Sequence, residues 1–302
     1  MTELWETVRL PDGRDLEVLL QGSDGGTLLI FHHGSPGAAV PFAPFDAAAA
    51  ERGIVLALPS RAGFGGSTRH QGRNVASAAA DAAALADHLG HDRFLTAGWS
   101  GGGPHALACA ALLPDRVMAA ATIAGVAPYD AEGLDWTEGM GEENRIEYPT
   151  AARDPDELRT WMEPQADALA TVRPEEIVAQ LRSLISSVDE AEVTGEFGEM
   201  LAHGFHRAFR NGPWGWFDDD LAFVAPWGFD LSSIRVPVSI WQGREDLMVP
   251  FAHGRWLADR VPGARSHLRP EHGHLSLAVG AIGEILDDLL EAGRTRTPTI
   301  DA

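Results

Sequence analysis

The chain has 302 residues, of which 45% are hydrophobic, and this size suits one large globular domain or a domain with an insertion. Its formal net charge of -21 argues against nucleic acids and anionic membrane surfaces as partners, because both require clustered lysine and arginine. The N-terminus lacks the basic start and apolar run of a signal peptide, and no apolar stretch is long enough to span a bilayer. We therefore expect a cytoplasmic protein with a small-molecule substrate and no nucleic-acid or membrane partner, and a homodimer is left open.

Short apolar strands alternate with helical segments along the first 129 residues. In chain order these are a hairpin over 4–20 with a turn at 11–13, a strand at 27–31, a helix near 45–52, a strand at 54–58, a helix over 74–89 capped by Asn74, a strand at 94–97, a helix over 104–113 and a strand at 118–123. The only cysteine, Cys109, lies in the last of these helices and is expected to be a buried, small apolar residue. This alternation predicts an α/β fold with a mostly parallel sheet and helices on both faces.

The alternation stops at about residue 130, and up to residue 229 the sequence has helical patterns but no buried strand. Asp154 and the Pro-Asp-Glu that follows it mark a helix start, whereas the acidic run 218–220 is expected to cap the helix after it. After the insertion, strands at 238–241 and 266–268, helices at 251–261 and 276–292 and a loose tail from 294 are predicted. The predicted organisation is a core formed by 1–129 and 230–302, interrupted by a helical cap over 130–229.

Ser100 lies in the glycine-rich segment Gly98-Trp99-Ser100-Gly101-Gly102, between a predicted strand and a predicted helix. Glycine permits the close backbone approaches of a sharp strand-to-helix turn. The pattern G-x-S-x-G in that context is typical of a nucleophile elbow, which exposes a serine hydroxyl above the sheet edge. Because five residues can match by chance, the prediction that Ser100 is a nucleophile depends on partners elsewhere in the chain.

A serine nucleophile requires a base and an acid that orients the base, and in an elbow fold the chain order is serine, acid, histidine. Asp246 follows the first strand after the insertion and is the preferred acid, with Asp130, after the preceding strand, as the alternative. His274 follows the last predicted strand and is preferred to His272, because Gly273 lets the loop turn that ring towards the elbow.

The oxyanion donors are predicted to be two backbone N–H groups. One belongs to Gly101, at a helix N-terminus, and the other to Ser35, in the loop after the strand at 27–31. The substrate pocket is expected to involve Trp99, Trp214 and Trp216, and their indole rings favour an apolar or cyclic acyl group. Chemistry of this kind needs no metal and no other cofactor.

With these motifs the sequence resembles the α/β-hydrolase superfamily. The segments that carry the resemblance are HGSPG (33–37), SRAGFGGS (60–67), GWSGG (98–102), GREDLMVP (243–250) and GHLS (273–276). The HGxPG loop and the helical cap are similar to the prolyl-aminopeptidase-like branch, although GWSGG lacks the tryptophan that follows the serine in many of those peptidases. A serine at the elbow argues against haloalkane dehalogenases and epoxide hydrolases, which use aspartate there.

The resemblance implies a carboxylesterase-like serine hydrolase that cleaves a small, apolar ester, lactone or amide. One alternative is a prolyl-type aminopeptidase, in which acids of the segment EGMGEENRIE (138–147) receive the substrate's ammonium group. A second is a non-hydrolytic enzyme of the same fold, either an acyltransferase or a cofactor-free dioxygenase. A binding protein that has lost the chemistry is disfavoured by the complete set of Ser, Asp and His.

Overall fold

The computed structural model describes residues 4–295, in which eight strands form one sheet. The strands are β1 (Leu4–Arg9), β2 (Asp15–Gly22), β3 (Thr27–His32), β4 (Ile54–Pro59), β5 (Phe94–Trp99), β6 (Val117–Ile123), β7 (Val238–Gly243) and β8 (Arg265–Arg269). Their spatial order is β1-β2-β4-β3-β5-β6-β7-β8. The pairs β1–β2 and β2–β4 are antiparallel and all the others are parallel. The predicted α/β fold with a mostly parallel sheet is confirmed.

Helices cover both faces of this sheet. The α-helices are α1 (Ala43–Glu51), α2 (Ser77–His88), α3 (Gly103–Leu112), α4 (Glu142–Arg153), α5 (Pro155–Leu169), α6 (Ile177–Leu181), α7 (Ser187–Glu190), α8 (Gly195–Phe209), α9 (Trp214–Val224), α10 (Phe251–Arg260), α11 (His274–Gly280) and α12 (Ile282–Arg294). Helices α2, α3 and α10 contribute to the hydrophobic core on one face, and α1, α11 and α12 contribute to the core on the other. No helix within residues 4–295 is both long and apolar enough to cross a membrane.

The central strands are apolar without alternation because both faces of the sheet are buried. In β3, Leu28 and Ile30 pack into one core while Leu29, between them, packs into the other. This follows from the pleat, which turns successive side chains to opposite faces. The same arrangement places the carboxyl ends of the parallel strands at one edge, where the loops that carry the candidate site begin.

Helices α4 to α9 occupy the segment predicted as an insertion, between β6 and β7. They enclose a third hydrophobic core, to which α8 contributes Phe197, Leu201, Phe205 and Phe209. Helix α5 starts as predicted, because the Asp154 carboxylate accepts hydrogen bonds from the first-turn N–H groups. The third core also includes residues outside the insertion, so the inserted helices pack directly on the sheet domain.

Two helix boundaries differ from the sequence prediction. Helix α2 begins at Ser77 rather than directly after Asn74, although the Asn74 side chain does accept from the Ser77 N–H at 3.1 Å. The predicted single helix 276–292 is wrong, because the chain forms α11 from His274 and then α12, with a break at Ala281 next to the weak helix former Gly280. From residue 296 onward, the predicted tail lies outside the described residues.

His253 shows how buried imidazoles link stability to pH. Its Nδ1 accepts from the Ala127 N–H at 3.1 Å and its Nε2–H donates to the Trp136 carbonyl at 2.8 Å, so the neutral ring is fully hydrogen-bonded. Burial lowers its pKa to about 4, against an ordinary value of 6.5. Between these pH values the unfolded chain binds a proton at this site and the folded chain does not, so stability falls as the pH falls.

We predict that His253→Gln flattens the dependence of the free energy of unfolding on pH. Wild-type protein should lose about 2–3 kcal/mol more than the variant between pH 7 and pH 4.5, because only the wild type has this proton linkage. Urea unfolding at the two pH values measures the difference. Parallel pH profiles for the two proteins would show that His253 does not titrate differently on unfolding.

Candidate active site

Ser100 sits at the turn from β5 into α3 with a backbone φ of 55°, in the left-handed region that non-glycine residues rarely adopt. The turn is closed by backbone contacts that exclude side chains. A Cβ on Gly98 would lie 2.0 Å from the Gly102 carbonyl oxygen, and one on Gly102 would lie 2.0 Å from the His32 carbonyl oxygen. The surrounding packing thus holds Ser100 in a strained conformation, which is a feature that clusters at active sites.

The predicted acid and base are in direct contact. Asp246 follows β7, and its Oδ2 lies 2.8 Å from Nδ1 of His274, the first residue of α11. The other carboxylate oxygen accepts from the backbone N–H groups of Met248 and Val249 at 2.9 and 2.8 Å. Gln242 donates its amide to Oδ2 at 3.0 Å. The carboxylate is therefore fixed from three sides and has one oxygen directed at the imidazole.

The tautomer of His274 follows from this contact. An ionised carboxylate only accepts, so Nδ1 carries the proton and Nε2 is left with a free lone pair. Burial disfavours the charged ring, but the Asp246 carboxylate and its hydrogen bond raise the pKa of His274 above its ordinary value. Burial also raises the pKa of Asp246, while the imidazole acts in the opposite direction. An imidazole poised in this way can take a proton and release it again.

The loop after β3 lies against the elbow, as the oxyanion prediction requires. A Cβ on Gly34 would lie 3.4 Å from the Ser100 Cβ, and one on Gly101 would lie 2.9 Å from the Ser35 Cβ. The Ser35 hydroxyl is buried and has no hydrogen-bond partner among residues 4–295. The two residues predicted to supply oxyanion donors are thus neighbours beside the nucleophile.

A buried ion-pair cluster joins the insertion to this loop. Asp219, in α9, is fully buried and bonds to Arg61 Nη2 at 2.7 Å, and Arg73 Nη1 lies 2.7 Å from its other oxygen. Although burial acts to raise it, the two guanidinium groups hold the pKa of Asp219 well below its usual range. Arg61 in turn donates to the carbonyl oxygens of His33 and Gly34. Asp219 thus fixes the arginine that fixes the loop.

The expectation that the acids 218–220 cap a following helix is therefore wrong. Helix α9 begins at Trp214, so the three acids lie within it and all three are buried. Asp218 pairs with Arg69 at 2.8 Å, and Asp219 pairs with Arg61 and Arg73. The arginines come from a loop more than 140 residues earlier, a partnership that local sequence preferences do not encode.

A cavity of about 240 Å³ lies against the elbow, the loop after β3 and His274. Ser100, His274, Ser35 and Gly34 line it on the side of the sheet domain. Aromatic and aliphatic side chains line most of the remainder, among them Phe42, Trp99, Trp161, Phe197, Leu201, Phe205, Trp216, Met248 and Leu275. Within residues 4–295, no group of three or more His, Cys, Asp or Glu side chains is arranged to hold a metal ion.

The remaining predicted site residues divide into those at the cavity and those away from it. Trp99 and Trp216 both line it, and the Trp99 indole also donates to the His274 carbonyl at 3.3 Å. Trp214 does not line the cavity. Its ring packs against the Arg69 guanidinium, whose central carbon lies 4.2 Å from the ring centroid. The structure therefore does not place Trp214 at the pocket that it was predicted to line. The partly buried Trp161 ring, 6.0 Å from that of Trp216, lines the cavity in its place.

The alternatives for the acid and the base lie elsewhere. Asp130 is exposed at the surface. His272 contributes its backbone carbonyl to Glu245, whereas the hydrogen bond to Asp246 is made by His274. Cys109 is buried, as predicted, and burial raises the pKa of its thiol to about 12, which leaves it un-ionised and unreactive.

Gln242 and Glu147 are two site residues that the motifs did not single out. Gln242 is the penultimate residue of β7 and bridges Asp246 and the Val249 carbonyl, but an amide at a strand end carries no distinctive signal. Glu147 lines the cavity and accepts from the Trp216 indole at 2.6 Å. It lies within the acidic segment noted in the sequence, yet composition alone could not separate it from the exposed acids around it.

Comparisons with known proteins identify the family and the fold. The family profile described as the alpha/beta hydrolase fold matches residues 27–281. An uncharacterized hydrolase of Bacillus subtilis (strain 168), YcgS, is 26% identical over 271 residues, or 87% of this chain and 89% of YcgS.

Solved structures show the same fold at lower identity. A thermophilic esterase from Thermogutta terrifontis superposes with a TM-score of 0.70 at 19% identity, covering 97% of this chain and 99% of the esterase. Epoxide Hydrolase A from Mycobacterium thermoresistibile gives a TM-score of 0.71 at 20% identity, covering 96% and 98%. Since one architecture serves both, any argument about substrate must come from the residues of the site.

We predict that Asp219→Asn destabilises the protein more than Asp218→Asn. The first change leaves two buried guanidinium groups without their counter-charge and should cost about 3–5 kcal/mol of the free energy of unfolding. The second breaks a pair with Arg69, whose side chain is 28% exposed and can be solvated, so about 1 kcal/mol is expected. Urea unfolding of both variants provides the comparison. Equal losses of the free energy of unfolding would show that the ion pairs of Asp219 stabilise the fold no more than the Asp218–Arg69 pair does.

Proposed function

The chain belongs to the α/β-hydrolase family, and we propose that it is a serine hydrolase that cleaves small, apolar esters, and related lactones or amides, through an acyl-enzyme on Ser100. The observation that carries this proposal is the 2.8 Å contact between Asp246 and His274, made beside a strained serine that lines the same cavity. Acyl transfer requires this combination of nucleophile, base and orienting acid.

In the first half-reaction, the Ser100 hydroxyl attacks the substrate carbonyl carbon while its proton passes to Nε2 of His274. Asp246 stabilises the resulting imidazolium through the Nδ1–H bond and does not itself take the proton. The negative charge that develops on the carbonyl oxygen is held by the backbone N–H groups of Ser35 and Gly101. The N-terminus of α3 adds its positive dipole end at the same place.

The tetrahedral intermediate then collapses. The imidazolium returns its proton to the leaving oxygen or nitrogen, which departs as an alcohol or amine and leaves Ser100 acylated. Water follows the same route: His274 takes its proton, the hydroxyl oxygen attacks the acyl carbon, and Ser100 recovers a proton as the acid is released. Each step uses only groups that the chain itself supplies.

The size and lining of the cavity support a small, apolar acyl group. Its volume of about 240 Å³ is below the ~300–1,000 Å³ of sites for drug-sized ligands. Phe197, Leu201 and Trp216 present apolar surface, which favours burial of hydrocarbon by about 25 cal/mol per Å². A short aliphatic or cyclic acyl chain is small enough for this volume and is stabilised by contact with the apolar lining.

Glu147 gives a specific reason to keep prolyl-type aminopeptidase as the second candidate. It is a buried carboxyl in an otherwise largely apolar cavity, and burial raises its pKa to about 7. Burial and the neighbouring Glu147 likewise raise the pKa of Asp220 well above its usual range. Burial therefore favours the neutral form of both carboxyls. A substrate ammonium group that pairs with Glu147 would favour its charged form instead.

We predict that Asp246→Asn lowers kcat for a short p-nitrophenyl ester by about ten-thousandfold, because the amide no longer fixes the reactive tautomer of His274. Asp130→Asn is the matched control, since Asp130 is exposed and should leave kcat unchanged. Steady-state kinetics on a panel of p-nitrophenyl esters, lactones and proline arylamides measures both variants and the wild type. Short esters should be turned over faster than proline arylamides.

Two outcomes would contradict this account in different ways. If Asp130→Asn is the damaging change, the orienting acid is not Asp246. If proline arylamides are the better substrates, and Glu147→Gln weakens their turnover while leaving that of neutral esters intact, the second candidate function replaces the first.

A further inference from the structure

Asp189, in the inserted helix α7, lies against the backbone of His274, the proposed catalytic base. Its side chain is fully buried, and it accepts hydrogen bonds from three consecutive backbone N–H groups. The His274 N–H reaches Oδ2 at 2.9 Å, and the N–H groups of Leu275 and Ser276 both reach Oδ1 at 2.9 Å. The Ser276 hydroxyl adds a fourth bond to Oδ1 at 2.9 Å.

The backbone before His274 is shaped to admit this carboxylate. A Cβ on Gly273 would lie 2.3 Å from Asp189 Oδ2, so no other residue fits without displacing the carboxylate. The Gly273 N–H donates a hydrogen bond to the Ser276 hydroxyl at 2.8 Å, and that hydroxyl in turn donates a hydrogen bond to Asp189. The residues on both sides of His274 are therefore tied to one side chain that comes from the insertion.

The contacts of Asp189 separate it from an ordinary helix cap. A capping residue normally precedes its own helix by one position, whereas Asp189 is 85 residues away from the His274 that it contacts. The helix that it caps has only seven residues, and its first residue is the base. So short a helix gains little stability from its own hydrogen bonds, and its position depends on tertiary contacts such as this one.

We propose that Asp189 is a positioning residue for the hydrolytic reaction: it holds the backbone of His274 so that the imidazole meets both Asp246 and Ser100, and it supplies a second negative charge that favours the imidazolium. This inference rests on the proposed function. It makes the insertion part of the catalytic apparatus as well as the cover of the pocket.

Two consequences follow for the reaction. A small displacement of His274 affects proton transfer more than substrate binding, so kcat is lowered while KM changes little. The charged groups that act on the ring are Asp246, from the loop after β7, and Asp189, from α7. Removing the charge of Asp189 lowers the pKa of His274, and the acid limb of the kcat/KM profile moves to lower pH because the ring stays neutral further into acid.

The test compares Asp189→Asn with Asp154→Asn. Asp154 caps helix α5 in the same insertion and bonds only to the N–H groups of that helix, so it controls for the loss of a capping carboxylate. We expect Asp189→Asn to lower kcat about ten- to a hundredfold with KM changed less than about threefold, and to shift the acid limb to lower pH. Asp154→Asn should keep the kcat and the pH profile of the wild type.

NMR titration of the His274 ring provides a readout that needs no substrate. The pKa of the ring should be lower in Asp189→Asn than in the wild type, and unchanged in Asp154→Asn. If the wild type hydrolyses none of the substrates, the proposed function fails, but this titration still decides whether Asp189 acts on His274. A ring pKa equal to that of the wild type would overturn the electrostatic part of the proposal.

The remaining outcomes separate positioning from plain stability. If Asp189→Asn melts earlier but has wild-type kcat and pH profile well below its melting temperature, Asp189 is a structural cap only and the proposal is wrong. If Asp189→Asn does not fold, Ser276→Ala decides, because it removes one bond to Asp189 and keeps the charge. It should lower kcat less, without moving the acid limb, and wild-type kcat in that variant would overturn the positioning role.

Discussion

A carboxylate can be buried only where charges and donors replace the water it loses, and the ion pairs around the fully buried Asp219 satisfy that constraint. Arg61 and Arg73 come from the loop after β4, whereas Asp219 comes from the inserted helix α9. Arg61 completes the arrangement by donating to the carbonyls of His33 and Gly34, next to the nucleophile. The position of the inserted helices and the shape of the predicted oxyanion loop are therefore set by the same cluster, and neither can shift without exposing or uncoupling a buried charge.

The insertion reaches the other half of the site through a second buried carboxylate. Asp219 acts through Arg61 on the loop that carries the proposed oxyanion donor Ser35, and Asp189 holds the backbone of His274, the proposed base. From the sequence, the triad and oxyanion residues lie outside the insertion, which suggests that selectivity and chemistry can be altered independently. The contacts of Asp189 and Asp219 limit that independence to side chains such as Trp216, which line the cavity and take no part in the proposed proton transfers.

The sequence was sufficient for the elements that depend on local pattern. The alternation of apolar strands and helices predicted the sheet, and the order of Ser100, Asp246 and His274 predicted which loops meet at its carboxyl edge. It was insufficient where a residue's partner is distant in the chain. The acidic run 218–220 resembles a helix start, and the arginines that pair with Asp218 and Asp219 lie too far upstream for the local sequence to reveal them. Likewise, nothing in the sequence around Trp214 reveals that its ring packs against Arg69. Asp189 was not recognised for the same reason, since its partners are backbone groups that any sequence supplies.

The central claim is that Ser100 attacks a carbonyl whose oxygen is held by the N–H groups of Ser35 and Gly101. The most direct measurement is a crystal structure of the protein after reaction with a small alkyl fluorophosphonate, which mimics the tetrahedral intermediate. The account predicts phosphorus bonded to Ser100 Oγ, with the phosphoryl oxygen about 3 Å from both N–H groups. Phosphorus on any other residue, or a phosphoryl oxygen turned away from these two donors, would contradict it.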